Sequence, residues 1–124
     1  MSVQADRLRK RIAAIPQAVR AGVRPALDKS ADELERAMKT LVPVDEAELK
    51  NSIAKSDGDT DLEIRVTAGS DDNEGAIHAR WVEFGTPETP EQAFFYPSVR
   101  LLNKRIRRRI NTAIRKSIRE NFGS

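Results

Sequence analysis

Apolar residues recur at steps of three or four through the N-terminal third: Leu8, Ile12, Ile15, Val19, Val23, Leu27, Ala31, Leu34, Met38 and Leu41. That spacing puts them on one stripe of a helix. Two prolines interrupt it. Pro16 and Pro25 each lack an N–H and crowd the preceding turn, which costs about 3 kcal/mol inside a helix and little in its first turn. The pattern predicts a short helix near residues 3–15 and a longer one ending near Thr40, stopped by Pro43. Asp45 then stands where it can cap a short helical turn, with Glu48 in capping-box register.

From there the period changes to two. Leu62, Ile64, Val66 and Ala68 alternate with Asp61, Glu63, Arg65 and Thr67, the pattern of a half-buried strand. Asp57-Gly58-Asp59 is a turn signal, so Ser52–Ser56 is predicted to pair with Leu62–Ala68 as a hairpin. Gly69 to Gly75 reads as an acidic loop. Ile77–Phe84 reads as a third strand, with Ile77, Ala79 and Trp81 on one face and Val82 and Phe84 on the other. A bulge near Trp81, or burial of both faces, would accommodate that switch. Gly85–Pro97 holds three prolines and no helical stripe, which predicts an extended loop.

The last segment gives the clearest helical signal. Val99, Leu102, Ile106, Ile110, Ala113, Ile114, Ile118 and Phe122 form an apolar stripe, and Gly123 stands as a stop. The predicted architecture is α+β: N-terminal helices and a long C-terminal helix packed on a small antiparallel sheet of three to four strands. A chain of 124 residues suits one domain, 1–124. Its parts would be a helical segment 1–42, a sheet 43–86, a Pro/aromatic loop 87–97 and a basic helix 98–122.

Charge changes this picture. The net charge is +3, yet from Val99 onward nine Lys or Arg face one Glu, leaving 13 basic against 18 acidic residues in the rest. A chain of two signs suggests docking between complementary surfaces, or onto a polyanion. Arg105, Arg107, Arg108, Arg109, Arg115 and Lys116 are the candidates for contact with DNA or an acidic partner. A solvated or docked helix face is favoured over direct DNA contact. No base-reading motif is present, and only Phe122 supplies an aromatic in this helix.

Candidate chemistry is sparse. With no cysteine, disulfides and thiolate metal sites are ruled out. The lone His78, between Ile77 and Ala79 in the expected strand, reads as a surface or packing residue rather than a base. Asp57-Gly58-Asp59-Thr60-Asp61 alternates carboxylates as a calcium loop does, but Leu62 and Ala68 stand where Gly and Glu are required, so a solvated turn is expected. Glu83, without a second titrating partner, reads as a packing or salt-bridged carboxylate. No catalytic, cofactor or metal site is expected, and the chain is not expected to be an enzyme. No apolar run approaches the roughly 20 residues that span a bilayer, and the opening residues carry no secretory apolar segment.

Five of the six aromatics fall between Trp81 and Tyr96. Core packing and intersubunit contact explain them about equally well, since aromatics are also enriched at interface centres. Three blocks in and around this stretch resemble the head–tail joining, tail-component family of long-tailed bacteriophages. Pro43-Val44-Asp45 with Leu49 and Ser52-Ile53 is similar to the family's Pro-Val-x-Thr-Gly-x-Leu-x-x-Ser-Ile. Val82-Glu83-Phe84-Gly85-Thr86 resembles its signature at the end of a strand. Phe94 with Pro97 resembles its Pro-Phe-x-x-Pro lead into a C-terminal helix. Glu46, Ala47 and Ala93 depart from the pattern.

The resemblance implies a structural virion protein that forms a ring at the head–tail interface, a neck or tail-completion subunit joining the DNA-filled head to the tail. It implies a homo-oligomer of six copies in the first instance, or of twelve nearer the portal. The implied neighbours are adaptor or head-closure proteins and tail-tube or tail-terminator proteins, with packaged DNA close by and no membrane. The implied location is the virion, after assembly in the host cytoplasm. Trp81, Glu83, Phe84, Gly85, Thr86, Phe94, Phe95 and Tyr96 are the expected subunit interface. The alternative is a small DNA-binding protein that uses the Arg-rich helix.

Overall fold

The computed structural model describes residues 3–13, 15–69 and 73–122. In chain order these form α1 (Val3–Ala13), α2 (Gln17–Leu41), α3 (Ala47–Ser52), β1 (Ala54–Asp57), β2 (Ile64–Thr67), α4 (Asn73–Phe84) and α5 (Phe95–Phe122). The α1/α2 break falls at Pro16, whose carbonyl accepts from the N–H groups of Val19 and Arg20 to start α2. Pro25 lies inside α2 on its exposed side, where solvent can serve the carbonyl it leaves without a donor. Helix α3 starts at Glu46 without a side-chain cap, so the capping box expected of Asp45 and Glu48 does not form.

Helices α2 and α5 make an antiparallel pair, with Gly22 against Ser117, Ser30 against Arg109 and Glu33 against Arg105. The approach is closest at Gly22: a Cβ there would lie 1.7 Å from Ser117 Oγ and 3.0 Å from its Cβ. Val19, Val23, Ala31 and Leu102 are buried along this pair. A wider core forms where the end of α2, helix α3, helix α4 and the start of α5 meet. Met38, Val42, Leu49, Ile53, Ala79 and Phe94 build it, with Leu34, Val66, Val82 and Val99 packed around them.

The hairpin forms as the period-two pattern predicts, with Ala54 opposite Thr67 and Asp57 opposite Ile64. It is shorter than expected at both strands. Only Ile64 and Val66 turn inward, and β1 is exposed throughout. The sheet has two strands, not three to four. The predicted third strand, Ile77–Phe84, is the body of α4. Its inward face is Ala79, Val82 and Glu83 at helical spacing, while Ile77, Trp81 and Phe84 share the outward face at steps of four and three. Assuming that the large apolar side chains point inward makes the same residues look like an alternation.

The expected loop Gly85–Pro97 also differs. Phe95, Tyr96 and Pro97 already belong to α5, so the basic helix begins before residue 98. The acidic loop expected at Gly69–Gly75 falls partly on residues 70–72, outside the described residues, and its end is the first turn of α4. Gly123 also lies outside the described residues.

Candidate assembly surface

Glu83 organises the region where the aromatics cluster. It is 5% exposed, on the inward face of α4. Its Oε1 accepts the backbone N–H groups of Phe94 and Phe95 at 2.9 and 2.8 Å, and its Oε2 accepts that of Tyr96 at 3.0 Å. These are the first donors of α5, which have no partner within the helix. The next residue is Pro97, which has no N–H to satisfy. One carboxylate and one proline thus account for the opening turn of a 28-residue helix, and the negative charge sits at the positive end of its dipole. In the sequence Glu83 reads as a packing or salt-bridged carboxylate within the expected subunit interface. The signal that could have found this role was a carboxylate followed, a loop later, by aromatic residues and a helix-starting proline.

Gly85 makes the turn that lets Glu83 reach. Its φ of +78° ends α4, and its N–H donates to the Trp81 carbonyl at 2.7 Å. A Cβ there would lie 2.8 Å from the Glu91 nitrogen, so only glycine fits for both reasons. The chain therefore leaves a helix at Gly85, not a sheet. The loop beyond folds back on itself. Thr86 and Thr89 exchange backbone hydrogen bonds, Thr86 Oγ1 accepts from the N–H groups of Glu88 and Thr89, and the Gln92 N–H returns to the Val82 carbonyl at 2.8 Å.

The aromatics divide into two sets. Phe94 is 1% exposed and is core. Trp81 and Phe84 are 55% and 62% exposed, and Ile77 and Tyr96 are exposed beside them. Phe84 and Tyr96 meet at a ring-centroid distance of 6.0 Å, and Phe95, half-buried, packs edge-on against Tyr96 at 5.4 Å. The result is an apolar face of Ile77, Trp81, Phe84 and Tyr96 at the α4–α5 joint. Of the residues expected at a subunit interface, Trp81, Phe84 and Tyr96 stand on this face. Glu83, Gly85, Thr86 and Phe94 instead build the joint beneath it.

The charged residues sort in a similar way. Glu33 on α2 pairs with Arg105 at 3.3 Å and with Arg109, whose other nitrogen donates to buried Ser30 at 3.0 Å. Burial raises the Glu33 carboxyl, but the hydrogen bonds and charges of Arg105 and Arg109 outweigh it and hold it below the ordinary carboxylate value. These two arginines are thus engaged within the chain. Arg107, Arg108 and Arg115 are exposed and face away from α2, and Lys116 lies near Glu120 at 4.0 Å.

The alternating carboxylates of the β1–β2 turn are held by arginines. Asp57 accepts from Arg24 at 2.6 Å, Asp59 from Arg9 at 2.6 Å, and Asp61 lies 3.6 Å from Arg20. The hydrogen bond to Asp57 and the nearby acidic charges raise the Arg24 pKa above its ordinary value. The turn is therefore tied to α1 and α2 by ion pairs while its carboxylates stay exposed to solvent. His78, on α4 and not on a strand, contacts Glu46 Oε2 at 2.6 Å.

The chain is thus a small α+β domain with a braced helix–helix joint and an exposed aromatic face. The family model described as "Bacteriophage HK97-gp10, putative tail-component" matches residues 6–85, well over half of the chain, and the chain belongs to this family of phage tail components. The matched segment runs from α1 to the turn at Gly85 and includes Glu83. The Phe94–Pro97 lead and α5 lie beyond it. No curated protein and no solved structure matches the chain.

Proposed function

We propose that this chain is a structural virion subunit that assembles into a ring at the head–tail interface, as a neck or tail-completion component joining the filled head to the tail. The observation that carries the reading is the apolar face of Ile77, Trp81, Phe84 and Tyr96, left open on a joint whose backbone is fixed by Glu83. A rigid, aromatic patch is what an interface centre requires, because little ordering entropy is lost when it is covered.

The two ends of the molecule also differ. Exposed Asp45, Glu48, Glu74, Glu88 and Glu91 lie on the elements around the aromatic face. The far end of α5, about 40 Å away by helical rise, exposes Ile118 and Phe122 beside Arg115 and Arg119. Unlike surfaces at opposite ends suit heterologous, head-to-tail contacts, which close into rings when the rotation permits. The proposed ring has six copies, or twelve nearer the portal, and contacts head-closure and tail-tube or tail-terminator proteins; membership of a phage tail-component family supports that setting. The test is sedimentation velocity of Trp81→Ser/Phe84→Ser against wild type. The wild type should sediment as a closed oligomer and the variant as folded monomer. A variant that assembles normally would remove the aromatic face from the account.

A further inference from the structure

The outward face of α5 carries a cluster of cations that the fold does not use. Lys104, Arg107, Arg108, Asn111, Thr112 and Arg115 line one shallow depression of about 350 Å³. All six are exposed, and Lys104, Arg108, Asn111 and Arg115 lie roughly half a helical turn around from Leu102, Ala113 and Ser117, which face α2, while Thr112 stands at the edge toward the α2–α5 groove. Among the described residues no carboxylate lies within ion-pair distance of Lys104, Arg107, Arg108 or Arg115, whereas Arg105 and Arg109, one turn-face away, are paired with Glu33. Four like charges within about 16 Å of helix repel one another and gain nothing within the molecule.

We propose that this depression is a binding site for the phosphate backbone of duplex DNA. Its lining decides between DNA and an acidic protein surface. Arg, Lys, Asn and Thr are the side chains that contact phosphate oxygens. A protein–protein interface centre is instead rich in aromatics and depleted in Lys; the α4 face has such aromatics, whereas this depression has none and holds Lys104. The absence of any aromatic in the lining favours the duplex over single strands, which bind by stacking bases on rings. Without a base-reading element the contact is independent of sequence. This inference does not depend on the ring.

The experiment is a salt titration of fluorescence anisotropy with a mixed-sequence duplex and the corresponding single strand. It uses wild type, Lys104→Gln/Arg107→Gln/Arg108→Gln, and a charge-matched control, Arg7→Gln/Lys10→Gln/Arg11→Gln on exposed α1 positions. Each variant's sedimentation is recorded in parallel. Duplex affinity of the wild type should fall about a hundred-fold between 50 and 200 mM salt, the slope for roughly three to four phosphate contacts. The α5 variant should lose most of that slope with its oligomeric state unchanged, the control should keep it, and the single strand should bind more weakly. Equal loss in the control would mean diffuse net charge and overturn the site. So would loss of assembly with duplex binding retained, which would make the depression a protein-docking surface.

Discussion

Glu83 is the residue on which the most geometry converges. Replacing it by alanine leaves three backbone donors at the start of α5 without their acceptor, in a buried setting. By the usual cost of a lost cap and of unmade charged hydrogen bonds, Glu83→Ala should destabilise the fold by about 2–4 kcal/mol. Glu83→Gln, which keeps one oxygen, should cost less. Urea denaturation followed by circular dichroism checks both values. Gly85→Ala should also destabilise, because the left-handed backbone and the 2.8 Å approach to Glu91 both oppose a Cβ.

Glu33 makes a residue-scale prediction about pH. Its folded-state pKa lies below the ordinary value, so the unfolded chain binds the proton more readily. The pair with Arg105 and Arg109 therefore contributes stability above the ordinary carboxylate pKa. That contribution is lost as pH falls through the lower, folded value. Thermal melts should show a steeper loss toward acid for wild type than for Glu33→Gln, and parallel curves would contradict the assignment.

At the scale of elements, the α2–α5 pair is set by small residues rather than by large ones. Gly22 and Ser117 permit the close approach, and the Ser117 hydroxyl turns to the Val19 carbonyl at 3.4 Å. Gly22→Val has no room and should force the helices apart, lowering the unfolding free energy read from urea denaturation by roughly 1–3 kcal/mol. Relief by a second change, Ser117→Gly, would show that the clash is local.

The helical N-terminal and C-terminal segments and the hairpin were legible in the sequence, because each follows the periodicity of its own burial. Where burial and hydrophobicity part company, legibility failed. In α4 the inward residues are Ala79, Val82 and Glu83, and the outward ones, Ile77, Trp81 and Phe84, include the largest apolar side chains of the helix. A pattern read from apolar side chains alone inverts that helix and turns it into a strand. The same inversion recurs at the end of α5, where Ile114, Ile118 and Phe122 are exposed and Ser117 is buried. The candidate site was found as a stretch, since its aromatics are dense. Its division into joint and face could not be read, because it depends on which hydrogen bonds Glu83 makes thirteen residues away at Tyr96. The charge asymmetry was visible too. How much of it is spent inside the chain became clear only from the pairing of Glu33 with Arg105 and Arg109.

For the whole molecule, membership of a phage tail-component family and an open aromatic face are the two observations that support the proposed assembly. Substituting exposed residues usually moves stability by no more than about 0.5 kcal/mol. Trp81→Ser should therefore leave the melting curve nearly unchanged while abolishing association. A matched fall in stability and assembly would point instead to a structural role for the ring. The most direct test of the central claim is native mass spectrometry of the purified wild-type chain, alone and with phage neck proteins. The account predicts a closed species at six, or twelve, times the 13.9 kDa subunit mass. A single 13.9 kDa species under both conditions would contradict it.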